Sequence, residues 1–393
     1  MIWGEAVTFR TLDKEKCCGC EACSNICPTD AIQMFPDDFG FMYPKTCFDR
    51  CIHCEQCIKR CPQLSKMRPQ LDSCTVYGGY AKEQSIVENS SSGGCFTLIA
   101  EAFLKSYERS SVVSVVWASD YKSVYHTFGK MEQLEAMRRS KYVQSRKMYI
   151  FREIRDALNI GESILFVGCP CEVAGLVYFL GDTEYQNLFL IDLVCQGPTS
   201  PKVLEDYVEY IERKYSARIS DINLRYNGGS KWIPQWLKIK FQDDKEYLRV
   251  FYETELGIAV HYMQRPACYS CQWNGKRRLS DMTLGDFHGV DENAECFNPK
   301  GTSVVVVNTV KGELILDLIK QDAVLHQVEY KEVASKNPRI EKSWAPLPGA
   351  EKYMENYKKY GLRKAAKMTL PLKKKIRFLL PNRISGIINH QVK

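Results

Sequence analysis

Eight cysteines constrain this chain most, because they repeat one spacing twice. Cys17-x2-Cys20-x2-Cys23-x3-Cys27-Pro28 is followed by Cys51-x2-Cys54-x2-Cys57-x3-Cys61-Pro62. Three thiolates two residues apart can wrap one corner of a four-iron cubane. The fourth, set off by three residues and followed by proline, ligates the neighbouring cubane. The crossed pattern assigns Cys17, Cys20, Cys23 and Cys61 to one [4Fe–4S] cluster, and Cys51, Cys54, Cys57 and Cys27 to the other. The fourth cysteine of each run is expected to open a helix, with the proline redirecting the chain. Zinc also accepts thiolate tetrads, but zinc sites rarely show this run, and here it occurs twice. Cys18 and Cys47 fall off the register and read as spare thiols beside the clusters.

Ten of the 18 cysteines lie between Cys17 and Cys61. A disulfide scaffold suits short secreted chains, whereas this one has 393 residues and no apolar leader at its N-terminus. No run of 18 apolar residues appears, so a cytoplasmic protein is expected. With 45% hydrophobic and 26% charged residues, the chain can bury a sizeable core and fits two or three domains. The first, over 8–66, is a dicluster ferredoxin-like unit.

Beyond residue 66, short apolar strands alternate with amphipathic helices, an α+β pattern of mixed α/β character. Strands are expected at Thr75–Ala81, Val112–Ala118, Ser163–Val167, Asn187–Val194, Trp236–Phe241 and Ser303–Val307. Helices are expected at Phe96–Tyr107, Met131–Arg139, Lys147–Leu158, Glu172–Leu180, Pro201–Tyr215 and Glu313–Lys320. The stretch from Ile219 to Phe251 reads as several strands, which argues against a purely parallel sheet. The formal charge of +7 resides in the C-terminal tail: residues 361–393 hold nine Lys or Arg and no acid, and the balance without them is −2. Lys373, Lys374, Lys375 and Arg377 alternate with Ile376, Phe378 and Leu379. Such a segment suits peripheral contact with an anionic membrane or an acidic partner as well as it suits a solvated terminus. No basic-aromatic platform supports nucleic-acid binding.

Several ordered motifs follow the cysteine runs. Ser91-Ser92-Gly93-Gly94-x-Phe96 and Ser140-Lys141-Tyr142-Val143-Gln144-Ser145 come first. Gly168-Cys169-Pro170-Cys171-Glu172-Val173-Ala174-Gly175 and Cys195-Gln196-Gly197-Pro198-x-Ser200-Pro201 follow. The series ends with Arg265-Pro266-Ala267-Cys268-x2-Cys271, Asp281-Met282-Thr283-x-Gly285-Asp286-Phe287-x-Gly289 and Gly301-x-Ser303. Over roughly residues 10 to 345 this set resembles the coenzyme F420 hydrogenase/dehydrogenase beta-subunit family. The resemblance implies an FAD- and iron–sulfur-containing domain over 73–345, followed by a basic tail over 346–393. It also implies an electron conduit, in several members exchanging hydride with coenzyme F420. Relatives act on other compounds, including a chlorophyll intermediate in plants, and many bacterial members sit among polysaccharide-synthesis enzymes.

Each motif has a physical reading beside that implication. Hydroxyls and glycines before a helix present free N–H groups at a positive dipole end. That places Ser92, Gly93 and Gly94 as a phosphate seat for a flavin, although plain helix capping uses the same residues. Lys141, Tyr142, Gln144 and Ser145 form a polar set that could tune the flavin edge. Cys171 should open a helix, where the dipole favours a thiolate. Cys195 ends an apolar strand, and Cys268 and Cys271 form a Cys-x2-Cys loop. Strand ends of this kind converge on one edge of a parallel sheet, so Cys171, Cys195, Cys268 and Cys271 are inferred to hold a third [4Fe–4S] cluster. Buried cysteines packing as small hydrophobes are the alternative. Cys169 occupies a position that is usually threonine in the family and is not counted as a ligand. Asp286 between glycines could bind a ribose hydroxyl or shape a turn. His288 is the candidate for a catalytic proton relay. The other five histidines form no ligand-spaced pair.

Two functions fit. In one, a low-potential donor such as ferredoxin, or a partner oxidoreductase subunit, feeds the clusters, and FAD delivers hydride to a small-molecule acceptor. In the other, the chain is a non-catalytic electron-transfer subunit serving a partner oxidoreductase.

Overall fold

The computed structural model describes residues 3–5, 11–65, 74–227, 232–275 and 278–370. The cysteine-rich N-terminal unit has a small antiparallel sheet of β1 (Trp3–Glu5), β2 (Ile32–Pro36) and β3 (Met42–Cys47), in the order β1-β3-β2. Its two short helices, α1 (Ala22–Ile26) and α2 (Gln56–Lys59), reproduce the sequence repeat in space. Each is preceded by a glutamate in the left-handed region, Glu21 at φ 63° and Glu55 at φ 58°, a conformation uncommon outside glycine. Cys27 closes α1 and Cys61 follows the end of α2. The fourth cysteine of each run therefore ends a helix rather than opening one. The chain before it is tightly wound by the x2 spacing, and Pro28 and Pro62 cannot donate to continue a helix.

The rest is built on a large sheet. Its strands are β4 (Thr75–Ala81), β5 (Ser110–Trp117), β6 (Val124–Gly129), β7 (Ser163–Gly168) and β8 (Leu188–Leu193). A separate three-stranded sheet of β9 (Ile219–Tyr226), β10 (Trp236–Phe241) and β11 (Glu246–Val250) intervenes. The large sheet is then completed by β12 (Met282–Asp286), β13 (Ser303–Val307) and β14 (Ala323–Gln327), in the order β14-β4-β13-β12-β8-β7-β5-β6. The four central strands β12, β8, β7 and β5 run parallel, and the flanking pairs are antiparallel. The fold is thus α+β with a mixed sheet.

The helices α3 (Gln84–Glu88), α4 (Cys95–Ser106), α5 (Leu134–Met137), α6 (Ile150–Asn159), α7 (Pro170–Leu180) and α8 (Pro201–Tyr215) alternate with the strands. They are followed by α9 (Glu255–Tyr262), α10 (Val310–Asp317) and α11 (Tyr330–Lys336), and then by α12 (Ala350–Tyr360) and α13 (Leu362–Thr369). Strand β7 shows how the sheet is covered. Leu165 and Val167 point into the core with Leu98, Ile99 and Phe103 of α4, while Ile164 and Phe166 face Phe151 and Ile154 of α6 and Val173 and Leu176 of α7. A strand buried on both faces reads as a continuous apolar run, here Ile164–Val167. Each such side chain contributes about 1.5–3 kcal/mol by leaving water.

Residues 350–370, grouped with the basic tail on charge alone, form α12 and α13. Tyr353, Tyr357, Leu362 and Ala366 are buried there in one core with α8, α9 and β9–β11. Residues 371–393, with the Lys373–Arg377 segment, lie outside the described residues. Among the described residues, no helix is long and apolar enough to cross a membrane.

Candidate functional site

The crossed thiol sets converge in the N-terminal unit. Cys17, Cys20, Cys23 and Cys61 line one small cavity, together with Cys18 and Gln63. Cys57 feels the charges of Cys27, Cys54 and Cys51, and Cys27 packs with Cys23, Cys51 and Cys57. Among the described residues, no three His, Cys, Asp or Glu side chains lie close enough to hold a single metal ion. A four-iron cluster, by contrast, interposes iron and sulfide between its thiolates. Burial pushes the thiol of Cys57 up to about 11, that of Cys61 to about 12 and that of Cys23 well above the ordinary value. Thiols so placed do not ionise unaided; bound metal cations supply the charge that deprotonates them. The donor chemistry fits iron–sulfur clusters.

This unit is tied closely to the large domain. The Arg265 guanidinium is 1% exposed. It donates to the Cys17 carbonyl at 2.5 Å, the Met42 carbonyl at 3.0 Å and Gln144 Oε1 at 2.9 Å, and it lies over the Tyr43 ring. Glu21 accepts from the backbone N–H groups of Lys147 and Met148, both at 3.2 Å. Arg152 donates to the carbonyls of Ser24, Asn25 and Cys27. On α7, a Cβ at Gly175 would stand 2.7 Å from the Cys20 Cβ, so the glycine is what lets this helix approach the first thiol set.

Downstream, α7 places Cys171 in its first turn, with Cys169 as the N-cap and Glu172 Oε2 accepting from the Cys169 N–H at 2.8 Å. Cys195 follows the end of β8, its sulfur 3.7 Å from that of Cys169. Cys268 feels the charges of Cys195 and Cys271, and Cys171 that of Cys169. The four inferred ligands of the third cluster thus share one neighbourhood, to which the fold also brings Cys169 and Cys18. Burial pushes Cys268 well above the ordinary thiol value and Cys271 up to about 11. These sulfurs meet the same donor test as the first two sets.

Beside them opens a cavity of about 320 Å³ at the carboxyl ends of β7, β8 and β12, where a parallel sheet collects its ligands. Ser92, Gly94, Lys141, Tyr142, Gln144, Ser145, Asp286 and His288 line it, as do Cys169 and Cys195. Gly93 is not among the lining residues; a Cβ added to it would stand 2.4 Å from the Gly79 carbonyl oxygen. The twelve-residue helix α4 starts at the cavity with no side-chain cap, leaving its first-turn N–H groups without one, and its N-cap Gly94 adopts φ 87°.

Several expected ligand contacts are occupied by protein partners. Ser92 Oγ donates to the Thr302 carbonyl at 2.9 Å. The Gln144 amide donates to the Cys18 and Gly19 carbonyls at 3.3 and 3.4 Å, so it fastens the N-terminal unit. Ser145 Oγ donates to Glu172 Oε1 at 2.8 Å. Lys141 Nζ donates to the Arg138 carbonyl at 2.8 Å, and burial lowers its pKa to about 7. A lysine of that kind on a cavity wall can exchange a proton near neutrality.

Two networks escaped the sequence reading. In the first, Arg225 donates to Asp286 Oδ2, Tyr142 Oη and the Ser91 carbonyl, each at 2.8 Å. Trp232 donates to the same carbonyl at 3.0 Å and stacks on His288, whose Nε2 is 3.4 Å from Asp286 Oδ2. Arg225 lies in a strand of the second sheet, and nothing in its local sequence marks it. In the second, Lys147 pairs with Glu172 beneath the cavity, beside His126, whose Nδ1 is 3.1 Å from Ser145 Oγ. Burial lowers His126 to about 4; Lys147 and His126 outweigh burial to hold Glu172 at about 2.

Fold and site together define an iron–sulfur electron-transfer protein of the oxidoreductase class. Residues 161–333 match the family model for the C-terminal part of the coenzyme F420 hydrogenase/dehydrogenase beta subunit, and residues 16–64 match that of the 4Fe-4S dicluster domain. The chain therefore carries a dicluster domain at its N-terminus, followed by a region similar to the C-terminal part of the coenzyme F420 hydrogenase/dehydrogenase beta subunit. An uncharacterised polyferredoxin-like protein of Methanocaldococcus jannaschii is 38% identical over 73 residues, which are 16% of this chain and 44% of the relative. The chain thus spans less than half the length of that curated relative. A chain of the F420-reducing [NiFe] hydrogenase complex from Methanosarcina barkeri aligns with a TM-score of 0.48 and 14% identity, over 76% of this chain and 97% of that one.

Proposed function

We propose that this chain is an iron–sulfur flavoprotein oxidoreductase that passes low-potential electrons through three [4Fe–4S] clusters to FAD, and onward as hydride to a small organic acceptor, coenzyme F420 or another metabolite. The observation that carries the reading is one cavity whose wall bears both an uncapped helix start and Cys195 of the third ligand set, beside Cys169. The ligand sets are Cys17, Cys20, Cys23 and Cys61; Cys51, Cys54, Cys57 and Cys27; and Cys171, Cys195, Cys268 and Cys271. Flavin bound there would supply the change from single-electron to two-electron chemistry.

The protein groups divide the remaining work. Backbone N–H groups at the start of α4 favour a phosphate. Arg225 holds Tyr142 and Asp286 in place on the cavity wall. Lys141 and His288 are the wall residues able to move a proton, Lys141 because burial brings it near neutrality. Electrons would enter from a redox protein or from a partner oxidoreductase subunit docked on the N-terminal unit.

Protein purified without oxygen should release FAD on denaturation, and its bound flavin should bleach when a ferredoxin-type donor is added. Intact clusters with no flavin would favour an electron-transfer subunit without a substrate of its own.

A further inference from the structure

Four arginines line the cavity, and three of them are neutralised by the protein. Arg138 pairs with Glu101 and Glu135, Arg139 with Glu135, and Arg225 with Asp286. The two carboxylates on the wall are already taken, Asp286 by Arg225 and Glu172 by Lys147. Among the described residues, the fourth arginine, Arg339, has no carboxylate beside it. Its guanidinium is nevertheless held in place. It stands 3.9 Å from the centre of the Trp344 ring and donates to the Gln196 carbonyl at 3.3 Å. The short 3-10 turn that carries it, Pro338–Ile340, follows Asn337, whose amide donates to the Asp286 carbonyl at 3.0 Å. Arg339 is therefore fixed between the ends of β8 and β12, half-buried, with its charge uncompensated. A stacked guanidinium with donors to spare is a receptor for an oxyanion, which it can hold through two parallel N–H···O bonds.

We propose that Arg339 binds the electron acceptor, and that the acceptor is a small organic anion whose carboxylate or phosphate group it holds. The inference deepens the flavin reading above and rests on it. Two places on the cavity wall suit an anion, and they lie apart. The start of α4 adjoins β4 and β13, because Gly93 packs against Gly79 and Ser303. Arg339 adjoins Gln196, just past the end of β8. In the sheet β12 lies between β13 and β8, so the two places are two strand spacings apart, about 10 Å. One oxyanion cannot use both. The helix start, with its backbone N–H groups, suits a phosphate of the resident cofactor. Arg339 stands on the solvent side, since the Trp344 ring stacked on it is 42% exposed. A ligand that arrives and leaves needs a seat reached from water, which assigns Arg339 to the acceptor. Specificity follows from the uncompensated charge: a neutral acceptor leaves the guanidinium unpaired, and a cationic one is repelled.

The test uses the full-length protein, purified without oxygen, as Arg339→Gln and Arg339→Lys. Two probes are compared, a naphthoquinone and its sulfonated derivative, whose sulfonate presents the oxyanion. Binding of each to the oxidised protein is measured by calorimetry, and flavin and iron are counted in the same samples. The unsubstituted protein should bind the sulfonated probe more tightly than the neutral one. Arg339→Gln should weaken the sulfonated probe by about tenfold or more and change the neutral one by less than about twofold. Arg339→Lys keeps the charge without the fork and should fall between. Flavin and iron should stay at the unsubstituted level in both. An equal change for the two probes, or no change for either, would overturn the proposal. Loss of flavin from a folded Arg339→Gln would give the residue to the cofactor, and loss of iron would give it to the third cluster; either result overturns the proposal as well. If Arg339→Gln does not fold, Arg339→Lys decides, and an unchanged preference between the probes there counts against the proposal. Unsubstituted protein without flavin would remove the flavin reading and this inference with it; bound flavin with no preference between the probes would sink this inference alone.

Discussion

At the scale of single residues, the site is held by buried charges that each have one fixed partner set. Arg225 is nearly buried and satisfies a carboxylate, a phenol and a carbonyl at once. Arg225→Met removes the cation and leaves Asp286 facing the cavity with only His288 beside its carboxylate. Breaking one side of a buried pair costs about 3 kcal/mol or more, so the variant should unfold at lower denaturant and retain less flavin. Arg225→Lys keeps the charge but not the three-way fork, and should fall between. The pair of His126 and Glu172 makes a pH prediction. The folded pKa of His126, about 4, lies below its ordinary value, so the folded state resists its protonation. Stability from its neutral form is full above about 6.5 and is lost as pH falls towards 4. The loss amounts to about 3 kcal/mol. Glu172, held at about 2, adds a loss only below about 4.5. Denaturant midpoints compared at pH 7.5 and 5.5 should therefore drop less for His126→Phe than for the unsubstituted chain; equal drops would remove His126 from the account.

At the scale of elements, most of the fold was legible and part of the site was not. Strands β4, β10 and β13 and helix α8 begin and end where the apolar runs and the Ser200-Pro201 start signal place them. The expected helix over Met131–Arg139 breaks into a 3-10 turn and the short α5, because Lys141 turns back to bond the last carbonyls. Strands β6, β12 and β14 of the large sheet are not among the expected strands; in β14 only the first residue is fully buried and clean alternation is lacking. Helices α12 and α13 were hidden by their charge: lysines and arginines dominate the count, while the spaced Tyr353, Tyr357, Leu362 and Ala366 make the contact. The start of α4 gives the element-scale prediction. Gly94 adopts φ 87°, a region that β-branched residues avoid. Gly94→Val should cost about 1–3 kcal/mol, tilt the start of α4 and weaken flavin retention. Gly94→Asn, which tolerates this region, should be milder in both respects, and equal flavin content in all three proteins would detach the helix start from binding.

At the scale of the whole molecule, the cysteine spacing announced the clusters, but not how the N-terminal unit is joined to the domain behind it. The junction depends on Arg265, Gln144, Glu21 and Arg152, contacts between residues more than a hundred positions apart, which no local pattern reveals. It brings the first thiol set, the downstream thiols and the cavity into sequence, and that order is the central claim. An anaerobic reductive titration, counting electrons taken up per chain from a low-potential donor, tests it most directly. Three clusters accepting one electron each and a flavin accepting two predict an uptake of about five. About four would remove the third cluster, about three the flavin, and about two would leave only the N-terminal pair, contradicting the wire through the molecule.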